Sequence, residues 1–166
     1  AVAAVNYRGS SGRGYAYSKA IYGDWGNKEV QDIVGAANHL IKMGIADSNR
    51  LAIGGWSYGG ILTNYTIAKD TRFKAAVSGA GSSFQFTMYG TDQYVTQYDE
   101  ELGAPWNNFK KWVDLSYPYL KVNQIKTPTL FMASQNDFNV PVVVNIKFQP
   151  NNSRLQVSNI VALQIP

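Results

Sequence analysis

A serine stands between two glycines in the pentapeptide Gly-Trp-Ser-Tyr-Gly at residues 55–59. An apolar run at 51–54 precedes it, and apolar residues at helical spacing follow it. A G-x-S-x-G between a strand and a helix is typical of a nucleophile elbow, a tight turn that exposes a strained serine hydroxyl. We expect the two flanking glycines, with Gly60, to supply the room for this turn. Ser57 is therefore the candidate nucleophile, and the alternative is an ordinary strand-to-helix turn.

A serine hydroxyl is a weak nucleophile at neutral pH and needs an adjacent base, usually a histidine that a carboxylate orients. The sequence contains one histidine, His39, and it precedes Ser57. In proteins built around such an elbow, the acid and then the histidine follow the serine. His39 also falls opposite the apolar stripe of a helix predicted over 27–43. We interpret it as a surface histidine, so the chain has a nucleophile and no catalytic histidine.

Composition narrows the class of protein. The 166 residues are 45% hydrophobic and 16% charged, as expected of one globular domain. The net charge is +4, but the basic residues are scattered, which argues against a nucleic-acid partner. The absence of cysteine excludes disulfides and thiolate metal sites. No apolar run approaches the roughly 20 residues of a membrane span and no signal peptide pattern is present, so we expect no membrane partner. The compartment stays open between cytoplasmic and periplasmic or secreted.

Apolar runs alternate with helical stripes along the chain. Strands are predicted at 1–5, 50–53, 73–77 and 127–133, and helices at 27–43 and after the elbow. This alternation indicates a mostly parallel sheet flanked by helices, with functional residues at the carboxyl ends of the strands. Because a strand-like run opens at the first residue, we expect further chain upstream.

Residues 82–124 interrupt the alternation with an aromatic-rich segment. Its aromatic residues are Phe84, Phe86, Tyr89, Tyr94, Tyr98, Trp106, Phe109, Trp112, Tyr117 and Tyr119. A long excursion between strands is often a lid or a pocket wall. A helical packing layer has the same composition, so both interpretations stay open.

A candidate for the orienting acid follows the last predicted strand. Asp137 lies just past that strand and after the serine, where the acid of such a site is expected. Asp92, Asp99 and Asp114 are alternatives, although they lie within the aromatic-rich segment and not at a strand end.

Four segments, in order along the chain, resemble the prolyl oligopeptidase family of serine peptidases, especially its acylaminoacyl-peptidase and dipeptidyl-peptidase branches. They are Asn6-Tyr7-Arg8-Gly9-Ser10-Ser11-Gly12, Gly54-Gly55-Trp56-Ser57-Tyr58-Gly59-Gly60, Ile125-Lys126-Thr127-Pro128-Thr129-Leu130 and Asp137-Phe138-Asn139-Val140-Pro141. The resemblance covers about residues 1–141. It implies a partial α/β-hydrolase fold, with 1–141 as a fragment of the catalytic domain.

The resemblance also implies roles for single residues. Ser57 is the nucleophile, Asp137 the orienting acid, and the backbone N–H of Tyr58 one donor of the oxyanion hole. The implied pocket for the residue before the scissile bond is lined by Phe84, Asn139 and Val140. Family members cleave short peptides or acylated amino termini, often hydrolyse simple esters, and use no metal or cofactor. We therefore expect a peptide or acyl-ester substrate.

Three features depart from the family pattern. The 166 residues include no β-propeller, the turn that supplies the second oxyanion donor would lie upstream of them, and they include no histidine after Asp137. Residues 142–166 form an atypical tail rich in β-branched residues, for which we hypothesise an altered or truncated reading of the gene. The alternative to a hydrolase is thus an inactive α/β-hydrolase fragment or binding module. Exposed sheet edges would favour a homo-oligomer.

Overall fold

A three-stranded parallel sheet lies at the centre of the computed structural model, which describes residues 1–141. The strands are β1 (Ala52–Trp56), β2 (Ala75–Gly79) and β3 (Thr129–Met132), in the order β1-β2-β3. The predicted parallel pairing is confirmed, and each of these strands begins two residues later than predicted. The predictions for residues 142–166 lie outside the described residues.

The helices fall before, between and after the first two strands. They are α1 (Tyr15–Ser18), α2 (Lys28–Lys42), α3 (Tyr58–Lys69), α4 (Phe86–Tyr89), α5 (Val95–Glu101), α6 (Phe109–Leu115) and α7 (Tyr117–Leu120), with 3₁₀ turns at Lys19–Ile21 and Val122–Gln124. None of the helices in the described part of the chain has the length and apolar character that a membrane crossing requires.

Helix α2 matches its prediction to within one residue at each end. It ends where Gly44 adopts a left-handed conformation with φ of 71°. Ile45 N–H donates to Leu40 O at 3.0 Å, and Gly44 N–H donates to Ile41 O at 2.9 Å. This pair of bonds is a Schellman motif, in which a glycine satisfies the last carbonyls of a helix.

Helix α3 covers one face of the sheet. Residues 60–67 of this helix are all buried, and α3 contacts β1, β2 and α2. On the opposite face of the sheet, Trp56, Val77 and Leu130 are exposed. Within residues 1–141, α3 therefore forms the centre of the core.

The predicted strand at residues 1–5 is not formed. The first four residues are exposed, and the segment has no strand assignment. A strand exists only when its backbone groups pair with a neighbour. In the described part of the chain β1 pairs only with β2, so these apolar residues have no partner strand.

Four short helices, α4 to α7, occupy most of the aromatic-rich segment. Part of this segment is core, with buried side chains at Met88, Tyr98, Leu102, Trp112 and Leu115. Their aromatic rings meet edge to face, as between Tyr98 and Trp112, whose centroids are 6.0 Å apart. Met88 and Tyr98 also face the cavity described below. The segment thus contributes both to the packing layer and to a cavity wall.

Candidate active site

Ser57 occupies a strained turn between the last residue of β1 and the first residue of α3. Its φ of 55° and ψ of −121° lie in a region that residues with a side chain rarely occupy. Its side chain is exposed, and its N–H donates to the carbonyl oxygen of Gly79 on β2 at 2.9 Å. This geometry is that of a nucleophile elbow.

Two of the three glycines expected to make room for this turn do so. A Cβ on Gly55 would lie 2.5 Å from the carbonyl carbon and oxygen of Gly59. A Cβ on Gly60 would overlap the carbonyl oxygen of Gly79. The expectation is wrong for Gly59, because a Cβ there would meet no atom of residues 1–141 within 4 Å outside its own helix.

The amino terminus of α3 lies directly beside the serine. Ile61 is the first residue of this helix to donate a backbone hydrogen bond, to Ser57 O at 3.0 Å. Within residues 1–141, the N–H of Tyr58 has no acceptor. Free N–H groups at the start of a helix carry partial positive charge and attract anions. The Tyr58 N–H is therefore available to a negatively charged oxygen near Ser57.

Asp137 lies in the turn that follows β3. Its Oδ1 accepts the N–H groups of Asn139 and Val140, each at 2.9 Å. Since β1 and β3 belong to one parallel sheet, Asp137 and Ser57 both follow the carboxyl ends of strands at the same edge. The assignment of Asp137 as the orienting acid stays a prediction.

The three alternative carboxylates are bonded within their own segment. Asp92 accepts the Tyr98 hydroxyl at 2.6 Å, Asp99 accepts the Tyr89 hydroxyl at 2.7 Å, and Asp114 pairs with Lys110 at 2.6 Å. These bonds stabilise the helical segment locally.

A cavity of about 680 Å³ opens beside the serine. Four of the predicted site residues line it: Ser57, Tyr58, Asn139 and Val140. Six further aromatic side chains, besides that of Tyr58, form much of its wall: Tyr7, Tyr15, Tyr22, Trp25, Tyr94 and Tyr98. The sequence reasoning missed the part of this wall between residues 15 and 25. The aromatic residues spaced through that segment were the one feature of the sequence that could have indicated this part of the wall.

Phe84 lies apart from this cavity. It is absent from the residues that line it, and its ring packs against Phe86 and Tyr119 with centroids 5.2 and 4.9 Å away. Its proposed contact with substrate stays a prediction.

Burial raises the pKa of two phenols in the cavity wall. Desolvation raises the pKa of Tyr7 above its ordinary value, with a smaller contribution from the negative charge of Glu29. Burial also raises the pKa of Tyr58, and Glu29 adds to the effect both by its charge and as a hydrogen-bond acceptor. A phenol is protonated at neutral pH even at its ordinary pKa of about 10, and these shifts keep both hydroxyls protonated to still higher pH.

His39 is exposed on α2, as the stripe of that helix predicted. It lines no part of the cavity. In the part of the chain that the structure describes, potential metal ligands nowhere gather in groups of three or more. The described site thus combines an exposed serine in a strained turn, a free helical N–H and a carboxylate at the same edge of the sheet.

A parallel sheet with a strained serine between a strand and the following helix defines an α/β hydrolase. The model of the prolyl oligopeptidase family matches residues 1–157. The chain belongs to the prolyl oligopeptidase family.

Relatives with solved or curated descriptions agree with this membership. The chain is 33% identical to dipeptidyl aminopeptidase BIII of Pseudoxanthomonas mexicana, over 82% of this chain and 21% of that protein. The acylaminoacyl peptidase of Pyrococcus horikoshii superposes with a TM-score of 0.80 at 29% identity, covering 86% of this chain and 24% of that one. A puromycin-hydrolyzing peptidase of Mycobacterium tuberculosis superposes with a TM-score of 0.79 at 34% identity, covering 86% and 22%. The chain spans about a fifth of the length of the curated relatives it matches.

Proposed function

We propose that this chain carries the nucleophile of a serine peptidase that cleaves short or acylated peptides, and simple esters, through an acyl-enzyme on Ser57. The observation that carries the proposal is the strained backbone of Ser57 beside the free N–H of Tyr58. Strained turns of this kind concentrate at functional sites, since packing alone gives little reason to maintain them.

The chemistry follows from this placement. Ser57 Oγ would attack the substrate carbonyl carbon while a base accepts the hydroxyl proton. The carbonyl oxygen then becomes an oxyanion, and the Tyr58 N–H would donate to it, where one donor contributes about 10²–10³ in rate. The leaving amine or alcohol takes up the proton and departs, and water releases the acyl group from the serine.

Asp137 is the proposed orienting acid. Two backbone N–H groups fix its carboxylate, which is the rigidity that an acid needs if it is to hold a histidine in one orientation. The sequence has no histidine after Asp137, and His39 lies exposed on α2. We therefore expect hydrolysis by this chain to depend on a base supplied to the cavity.

The cavity wall supports a preference for substrates with an apolar or aromatic group near the scissile bond. Aromatic side chains can stack on such a group, and the proposed pocket residues Asn139 and Val140 lie in the same wall as Ser57. The names of the relatives, which include an acylaminoacyl peptidase and a dipeptidyl aminopeptidase, support only the broader class of short or acylated peptides.

The test is covalent labelling with a fluorophosphonate, read by intact mass against the 18.3 kDa chain. We expect slow labelling of a single site, faster labelling when imidazole is added as the missing base, and no labelling of Ser57→Ala. An adduct that persists in Ser57→Ala would contradict the assignment of the nucleophile. A chain that stays unlabelled even with imidazole would favour the inactive fragment or binding module.

Self-association is a separate proposal. In the described sheet β1 and β3 are edge strands, and unpaired edges favour pairing between copies of a chain. Sedimentation velocity at two concentrations tests it, and a single monomer boundary at both would exclude it.

A further inference from the structure

A buried carboxylate lies behind the elbow and outside the machinery described so far. Glu29, in the first turn of α2, has an exposed fraction of 0%. Its Oε1 accepts the N–H of Gly26 at 3.2 Å and the hydroxyl of Tyr58 at 2.7 Å. Its Oε2 has no hydrogen-bond donor among residues 1–141.

A helix cap explains only part of this arrangement. A carboxylate in the first turn satisfies a backbone N–H and interacts well with the helix dipole, and Glu29 does so at Gly26. A cap works equally well at the surface, however, whereas burial removes the carboxylate from water at a cost in free energy. The second bond, to Tyr58, is the feature that the cap leaves unexplained.

An ion pair does not explain the burial either. Lys69 is a nearby cation whose pKa burial lowers, while the charge of Glu29 acts in the opposite direction and raises it. Its Nζ, however, donates to Gly26 O at 2.9 Å and lies 4.7 Å from the centre of the Tyr117 ring. No salt bridge of the described residues includes Glu29. Its strongest contact is the bond from the Tyr58 hydroxyl.

Tyr58 links this carboxylate to the reacting serine. It is the first residue of α3 and follows Ser57 directly, so its backbone N–H and its side chain share one Cα at the elbow. The ring is held on two sides, by Trp25 edge-on and by Tyr7, with centroids 6.4 Å away in both cases. The bond to Glu29 fixes the tip of the same side chain.

We propose that Glu29 is a positioning residue that holds Tyr58 so that its backbone N–H points to the oxyanion formed at Ser57. The inference rests on the proposed function, because it assigns a purpose to the oxyanion donor. A phenol is a hydrogen-bond donor throughout the neutral range at its ordinary pKa of about 10, and burial together with Glu29 raises the pKa of Tyr58 further.

Three substitutions separate positioning from capping. Tyr58→Phe removes the hydroxyl and leaves the bond between Gly26 and Glu29 in place. Glu29→Ala removes both bonds. Glu29→Gln keeps an oxygen that can accept both, and it should rescue the geometry. Tyr89→Phe is the matched control, because it breaks a phenol–carboxylate bond, to Asp99 at 2.7 Å, at a position that does not line the cavity.

The first measurement is the ¹⁵N order parameter of the residue-58 amide, which does not depend on catalysis. We expect about 0.85 in the parent chain and in Glu29→Gln, as in rigid backbone, and a fall towards about 0.6 in Tyr58→Phe and Glu29→Ala. The second measurement is the rate of fluorophosphonate labelling with imidazole. We expect it to fall about 10-fold in the same two variants, which is less than the loss of about 10²–10³ for an entire donor, and to stay unchanged in Tyr89→Phe.

The outcomes distinguish the inference from the function on which it rests. If the parent is never labelled but its residue-58 amide loosens in Tyr58→Phe, the peptidase proposal fails, and of the inference only the structural link remains, in which Glu29 holds Tyr58. If the parent is labelled, yet Tyr58→Phe leaves both the amide and the rate unchanged, Glu29 is only a helix cap and the inference is overturned. Should Glu29→Ala fail to fold, Tyr58→Phe alone decides.

Discussion

The backbone N–H of Ser57 donates to the carbonyl oxygen of Gly79 at 2.9 Å, which joins the elbow to the end of the neighbouring strand. Ser57 O in turn accepts the N–H of Ile61 at 3.0 Å. Both backbone groups of a residue with positive φ are thus satisfied, one by β2 and one by α3. Two backbone bonds offset part of the cost of about 1–3 kcal/mol that such a conformation carries. The exposure of the hydroxyl therefore depends on how closely α3 approaches β2.

This close approach predicts opposite effects for two adjacent glycines. A Cβ on Gly60 would overlap Gly79 O and reach within 3.0 Å of the Cα of Gly81, and neither backbone can yield easily. We expect Gly60→Ala to lower the free energy of unfolding by about 2–4 kcal/mol. Gly59→Ala is the matched control, since its Cβ meets open space and alanine favours helix by up to about 1 kcal/mol. Urea unfolding of both variants checks this, and equal destabilisation would contradict the packing argument.

The elbow was predictable because its constraints are local. A glycine pattern, a preceding apolar run and a following helical stripe all lie within about twenty residues, and the same holds for the end of α2 at Gly44. The sequence could not predict which glycine is sterically required. Gly60 is constrained by the end of β2, and the position of that strand relative to the helix is not evident from the sequence. The strand predicted at 1–5 was wrong for a related reason: apolar character indicates burial, but a strand also needs a partner.

The cavity was harder to predict than the nucleophile. Its wall combines side chains from the segment 15–25, from the aromatic-rich segment and from the turn after β3, which are distant in sequence. Glu29 illustrates the same limit. In the sequence it is one acidic residue at the start of an amphipathic helix, which usually lies in solvent. Only the approach of Tyr58 from another helix makes it a buried acceptor.

Asp137 should tolerate an amide structurally but not functionally. Asparagine keeps an oxygen to accept the N–H groups of Asn139 and Val140, whereas alanine leaves both without an acceptor. We therefore expect Asp137→Asn to unfold like the parent, and Asp137→Ala to be less stable by about 1–2 kcal/mol. If Asp137 orients the base, the substitution Asp137→Asn should lower kcat by about 10⁴ in a version of the enzyme that has a catalytic histidine. Urea unfolding and ester hydrolysis measure the two effects, and an active Asp137→Asn would exclude this role.

The ion pair of Arg8 and Asp32 should contribute to the free energy of unfolding at neutral pH but not at acid pH. Arg8 donates to Asp32 from its backbone N–H at 2.8 Å and from its guanidinium at 2.8 and 2.9 Å. Burial alone would raise the pKa of Asp32, but these hydrogen bonds outweigh it and lower the pKa below its ordinary value. Because the pKa of Asp32 is lower in the folded state, the pair makes its full contribution to the free energy of unfolding above the unfolded-state pKa of about 4. This contribution is lost as the pH falls through the folded-state pKa.

We accordingly expect Asp32→Asn to lower the free energy of unfolding by about 1 kcal/mol at pH 7, and by progressively less as the pH falls below 4. Asp47→Asn is the control, because its pair with Arg50 is also 2.8 Å long but largely exposed, and such pairs contribute little. Thermal unfolding from pH 7 to pH 2 compares the two. The same loss in both variants, or a loss in Asp32→Asn that does not change with pH, would refute the assignment.

A buried tyrosine of α3 predicts the largest effect of removing a single hydroxyl. Tyr65 is fully buried; its hydroxyl donates to Leu115 O and accepts from Gln85 Nε2 at 3.1 Å. Tyr65→Phe leaves that carbonyl and that amide without a partner in a site closed to water. We expect a loss of about 1–3 kcal/mol in the free energy of unfolding. Tyr15→Phe, at a tyrosine that is 78% exposed, should change it by less than about 0.5 kcal/mol. Urea unfolding of the two variants decides, because equal effects would mean that the buried hydroxyl contributes no more to stability than an exposed one.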